Sequence, residues 1–85
     1  MPLRMAKDLA WQLVDGEGVI VDLERRLVIG LNPTASLIWS LLKDHDEAAI
    51  AAKVAARFDV APEAAQTDVR EFFEALKARG LAVES

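Results

Sequence analysis

Residues 18–39 read GVIVDLERRLVIGLNPTASLIW. Val19–Leu23 (VIVDL) and Leu27–Leu31 (LVIGL) are short, apolar and rich in β-branched residues, the composition of strands that pack against a core. Asn32-Pro33 then changes the chemistry: asparagine can accept from the free N–H groups of a helix start, and proline suits the first helical position because its missing N–H is not needed there. The segment therefore predicts two strands running directly into a helix.

Working outward toward the N-terminus, a further strand is predicted over Trp11–Val14. Asp15-Gly16, followed by Gly18, supplies the residues that reverse it into Val19–Leu23. Glu24-Arg25-Arg26 links that strand to a third, Leu27–Leu31, giving an antiparallel meander. On the two-residue strand period Leu27, Ile29 and Leu31 share one face, and Val28 and Gly30 share the other. Residues 1–10 show no clear period and are expected to form a flexible arm, with Leu9 available to pack; residues 11–85 are expected to form the domain. Toward the C-terminus, helix one is predicted from Pro33 to about Lys43. Helix two is predicted over Glu47–Phe58, with Ile50, Val54 and Phe58 on one stripe and alanines beside it. Helix three runs from near Pro62 to Gly80, where glycine can take the left-handed conformation that ends a helix. Its apolar face is Ala65, Val69, Phe72, Phe73 and Leu76. The expected core is Ile38, Trp39, Leu41, Val54, Phe58, Val69 and Phe72. The fold class is α+β, a three-stranded antiparallel β-meander followed by three α-helices.

Eighty-five residues, 53% of them hydrophobic, make one small domain. The chain has no cysteine, which removes disulfides, thiolate metal sites and cysteine nucleophiles together. The N-terminus has no apolar run of signal-peptide length and no segment reaches the ~20 apolar residues of a membrane span. A cytoplasmic protein without a membrane partner is the expectation. A net charge of −4 opposes binding to nucleic acid, which relies on clustered Lys and Arg.

The inventory of reactive groups is thin. His45 is the single histidine, set in Lys43-Asp44-His45-Asp46, and reads as part of a solvated turn between helices one and two; a metal site would need ligands from several elements. Ser36 and Ser40 lie on helix one with no second histidine to activate them. Glycines 16, 18 and 30 lack the spacing of a phosphate loop. No enzyme, metal or cofactor is expected.

Binding is the better-supported chemistry. If the meander follows chain order, Leu27, Val28, Ile29, Gly30 and Leu31 form an edge strand, and it contains neither the charge nor the proline that natural proteins use to blunt such edges. Gly30 leaves room for another backbone, or else marks a bulge or close packing under Trp39. An unprotected edge beside an apolar helix suits strand addition, in which main-chain hydrogen bonds give affinity and adjoining pockets select side chains. On helix three, Asp68 projects from the shoulder of the apolar stripe near Phe72 and Ala75, and Glu71 lies on the same acidic surface. Asp68 can bind a basic residue or backbone amide of a peptide, or accept a hydrogen bond from its own chain near the helix start.

The wording of the strand–helix junction, with Asp68-Val69-Arg70-Glu71-Phe72-Phe73 and Arg79-Gly80-Leu81, resembles the PqqD-like family over about Gly16–Val83. The resemblance implies a winged helix-turn-helix that holds the leader segment of a ribosomally made precursor peptide for a partner modifying enzyme or leader peptidase. It further implies that the leader adds as a strand beside the third strand and packs against the third helix. Many members of that family carry an aromatic residue just before the Leu-Asn pair, where this chain has Leu27-Val28-Ile29-Gly30, so pocket shape and leader preference do not carry over. A short, separate protein resembles the stand-alone versions, including those of lasso-peptide systems, and either a monomer or a homodimer is compatible with the open edge. The rival reading is a winged-helix DNA-binding regulator, which requires a basic helix three; here Arg70, Lys77 and Arg79 are interleaved with Glu71 and Glu74.

Overall fold

A computed structural model describes residues 3–84. Five strands and three helices follow in the order β1 (Leu3–Met5), β2 (Leu9–Val14), β3 (Glu17–Asp22), β4 (Leu27–Gly30), α1 (Pro33–Leu41), α2 (Glu47–Phe58), α3 (Pro62–Ala78) and β5 (Ala82–Glu84). The antiparallel sheet β2-β3-β4 follows chain order, as the meander predicts. Asp15 and Gly16 both have positive φ, the geometry of a two-residue hairpin turn whose twist matches its strands. The third predicted strand is β4, and it occupies one edge of the sheet.

Of the segment expected as an arm, residues 1 and 2 lie outside the described residues, and 3–5 and 9–10 are strand. Leu9 and Ala10 begin β2, while β1 pairs antiparallel with β5, Met5 opposite Ala82 and Leu3 opposite Glu84. The physical reason is Leu3, which is 4% exposed and joins the core. A strand of three residues is too brief for its period to be visible, and the partner that orders it lies at the far end of the chain.

The helices start and stop where their caps dictate. Asn32 Oδ1 accepts from the Ala35 N–H at 2.8 Å, and Asp46 Oδ1 accepts from the Ala49 N–H at 2.9 Å. Helix α3 ends in a paired cap: the Gly80 N–H donates to the Lys77 carbonyl (3.1 Å) and the Leu81 N–H to the Leu76 carbonyl (2.9 Å), with Gly80 at positive φ. The core lies between the inner face of the sheet and the helices, with Ile20, Ile38, Trp39, Ile50, Val54 and Val69 completely enclosed. Leu42, rather than Leu41, completes the α1 contribution, and Leu41, Phe58 and Phe72 are half-buried around that core instead of inside it. Trp11 from β2 covers Trp39 edge to face, ring centres 6.3 Å apart.

One buried hydroxyl joins sheet to helix. Ser36 Oγ accepts from the Gly18 N–H at 2.6 Å and donates to the Leu31 carbonyl at 3.2 Å. A Cβ on Gly18 would lie 3.1 Å from Leu31 Cδ1 and 3.3 Å from Ser36 Oγ, so glycine serves this close approach. The bond fixes how β4 enters α1, and with it the placement of the strand edge beside the helices.

Candidate peptide-binding groove

The hydrogen-bond register shows which backbone groups β4 leaves free. The Leu31 N–H donates to the Gly18 carbonyl at 2.8 Å, and Ile29 stands opposite Ile20. Antiparallel alternation therefore turns the backbone groups of Ile29 and Leu27 toward β3, as for Leu31, and those of Val28 and Gly30 outward. Among the described residues nothing in the chain pairs with that outer row. Side chains follow their own alternation: Ile29 and Leu31 are half-buried against the core, while Val28 is 71% exposed.

Gly30 is open to three explanations on sequence grounds, and the geometry removes two. A Cβ built there meets no heavy atom within 4 Å, so packing under Trp39 does not require glycine. Nor does a bulge interrupt the pairing of Val19 with Gly30 and Ile20 with Ile29. Space beside the strand remains.

Gly30 also lines, with Ile29, Leu31, Phe72, Ala75, Leu76 and Leu81, a cleft of about 290 Å³ between β4 and α3. A second cleft of about 300 Å³ continues from it between the start of α1 and α3, where Asn32, Thr34 and Ile38 face Asp68 and Glu71. Asn32, Ala35 and Phe72 line both. Of the residues singled out in the sequence, Ile29, Gly30, Leu31, Phe72 and Ala75 thus come together at the first cleft, Asp68 and Glu71 at the second, and Leu27 and Val28 lie along the strand with their side chains exposed. Phe72 is a wall of this groove, which is why it is only half-buried. Sequence reasoning misses Asn32, Thr34, Ala35, Ile38, Leu76, Arg79 and Leu81 as lining residues; Asn32 reads as the helix start, and Ile38 and Leu76 as apolar helix faces.

The electrostatics of α3 are acidic on the groove side. Arg70 is drawn to Glu47 (3.3 Å), and Lys77 to Glu74 (3.1 Å) and Glu84 (2.9 Å). Hydrogen bonding to Glu84, then to Glu74, raises the Lys77 pKa, and the bond to Lys77 lowers that of Glu84. Asp68 and Glu71 have no such partner among the described residues, nor does Asp68 accept an intrachain side-chain hydrogen bond there. His45 lies away from the groove, its Nδ1 3.3 Å from the Leu41 carbonyl. Among the described residues no group of three or more His, Asp or Glu is placed to hold a metal, and no helix is long and apolar enough to cross a membrane.

The sequence profile of the family described as Coenzyme PQQ synthesis protein D (PqqD) matches residues 17–82, most of the chain. This chain belongs to the PqqD family. Two solved structures share the PqqD fold closely. One, TbiB1 in complex with the TbiA(beta) leader peptide, superposes with a TM-score of 0.88 at 25% identity, over 96% of each chain. The other, lasso peptide synthetase B1 complexed with the leader peptide, gives 0.87 at 26% identity, over 99% of this chain and 100% of that one. No curated protein sequence matches. Agreement over nearly the full length of both structures confirms the α+β plan, the three-stranded antiparallel sheet followed by three helices, as that of the PqqD family.

Proposed function

We propose that this PqqD-family chain is a precursor-peptide recognition element. It binds the leader of a ribosomally synthesised peptide in extended form, adding it as a strand to β4 against α3. It then presents the attached core, in the cytosol, to a partner modifying enzyme or leader peptidase and takes no catalytic part itself. The observation that carries this reading is the open β4 edge beside a cleft lined by Ile29, Gly30 and Leu31 and walled by Phe72. Two proteins of the same fold, each solved with a leader peptide, support it, and the lasso peptide synthetase B1 among them favours a lasso-type product.

The physical division of labour follows from the groove. The N–H and C=O groups of Val28 and Gly30 would supply main-chain hydrogen bonds, insensitive to leader sequence. The floor of Ile29, Leu31, Phe72 and Ala75 would take one or two apolar leader side chains. Asp68 and Glu71 would accept from a basic side chain or a backbone amide, and Leu27 would extend the apolar margin. Assistance to the partner comes from effective concentration and orientation of the substrate. Nothing favours the DNA-binding alternative: the α3 cations Arg70 and Lys77 are engaged by carboxylates, and the face beside the cleft is acidic.

The test is titration of isotopically labelled protein with a synthetic leader taken from the precursor encoded beside this gene. Amide shifts are expected at Val28, Gly30, Asp68 and Phe72. Shifts confined to α2 or to the His45 turn, with β4 silent, would overturn the site.

A further inference from the structure

The two walls of the groove, β4 and α3, are joined by no direct hydrogen bond among the described residues. Beyond the packing of Ile29, Leu31 and Phe72 on a shared core, one side chain in the turn before β4 supplies a polar connection between the two sides. The Arg25 guanidinium reaches across to donate to the Arg79 carbonyl at the end of α3. Its root is held by Asp22, whose carboxylate accepts from the Glu24 N–H (3.1 Å) and the Arg25 N–H (3.0 Å) and lies 3.9 Å from Arg25 Nε. Asp22 is itself buried, so the base of this connection is fixed by the hairpin.

Gly80 is fitted to the same contact. A Cβ there would lie 2.9 Å from an Arg25 Nη, in addition to the strain of a positive φ. Glycine therefore both caps the helix and lets the arginine cross its end, where a cation also complements the negative pole of the helix. Arg79 and Leu81, on either side of Gly80, line the cleft that Ile29 and Gly30 close from the strand side.

We propose that Arg25 is a positioning residue that sets the width of the β4–α3 groove and so holds it ready for an extended peptide. The proposal rests on the reading of that groove as the leader site. An arginine whose side chain is more than half exposed contributes little to global stability. Its effect falls on which groove widths are populated, and apparent affinity scales with the fraction of molecules already competent to bind. A clamp of this kind lowers the cost of ordering the site when the peptide arrives.

The absence of cysteine makes the width measurable without any ligand. Spin labels at Val28→Cys and Glu74→Cys report the separation of β4 and α3 in the free protein. The otherwise unaltered background is expected to give one narrow distance distribution, Arg25→Met a broad or displaced one, and Arg25→Lys, which keeps a donor for the Arg79 carbonyl, a return toward the narrow one. In unlabelled protein, Arg25→Met is expected to raise the Kd for the synthetic leader about tenfold with a nearly unchanged melting temperature, corresponding to a competent fraction of about one tenth; Arg25→Lys recovers most of the loss. An unaltered distance distribution in Arg25→Met overturns the clamp, as does unaltered affinity beside a broadened distribution. A melting temperature that falls while affinity holds assigns Arg25 a purely structural role. Failure of the wild-type protein to bind the leader overturns the proposed function instead, and the label distances still decide whether Arg25 sets the width.

Discussion

Val28 and Ile29 are adjacent and chemically alike, yet their backbone groups have opposite duties. The Ile29 N–H belongs to the β3 ladder, whereas the Val28 N–H points away from the sheet. Proline is tolerated on an edge strand where the lost donor faces outward and is costly where it breaks the ladder. Val28→Pro is therefore expected to melt near the wild-type temperature and to bind the leader weakly. Ile29→Pro is expected to lose about 2 kcal/mol or more of stability, which denaturant titration would read. A larger stability loss in Val28→Pro than in Ile29→Pro would show that the register is shifted by one residue. Phe72 gives a second contrast. Because it is half-buried, Phe72→Ala is expected to cost about 1 to 2 kcal/mol, well short of the cost of emptying an enclosed ring site, while affinity for the leader drops more than this loss of stability explains.

At the scale of elements, the parts that can be read in advance are those whose signals are local. Asn32-Pro33, Asp46 and Gly80 punctuate the helices by chemistry confined to a few residues, and α2 runs over Glu47–Phe58 as its stripe of Ile50, Val54 and Phe58 predicts. Asp15-Gly16 likewise announces its own turn. β1 and β5 are not legible, because each is three residues long and pairs with a strand at the opposite end of the chain. The groove is half legible: strand alternation and the α3 stripe identify its walls, but neither reveals that Arg25 reaches Arg79 or that Ser36 takes the Gly18 N–H, contacts spanning 54 and 18 residues. Ser36→Ala leaves that buried N–H without a partner and is expected to cost about 1 to 3 kcal/mol, measured by denaturant unfolding. The Lys77–Glu84 pair ties β5 to α3 with a predictable pH signature. A glutamate whose folded pKa is lowered stabilises fully above its ordinary value of 4.5 and loses that contribution as pH falls through the lowered value. The difference in melting temperature between wild type and Glu84→Gln should accordingly vanish at acid pH, and it should be small throughout because both groups are exposed to solvent.

At the scale of the molecule, a domain this small has little stability to spare, so binding must register in its global unfolding. A ligand that binds only the folded state stabilises it by about 2.7 kcal/mol at a hundred times its Kd. For a chain of this length, that corresponds to a rise in melting temperature of about 10 to 20 °C. The cognate leader should produce a rise of this order, and a scrambled leader of identical composition should produce much less, because at the proposed site the floor around Phe72 and the carboxylates of Asp68 and Glu71 would read side chains in order while the β4 edge would read only backbone. Duplex DNA at the same concentration should produce none, since a chain of net charge −4 with its α3 cations engaged releases few counterions from phosphate. His45→Ala should leave the leader-induced rise intact, its ring lying outside the groove. Calorimetry on the four combinations separates the alternatives: a rise with DNA and none with the leader would make this a nucleic-acid reader, and equal rises with leader and scrambled peptide would reduce the groove to an unselective strand edge.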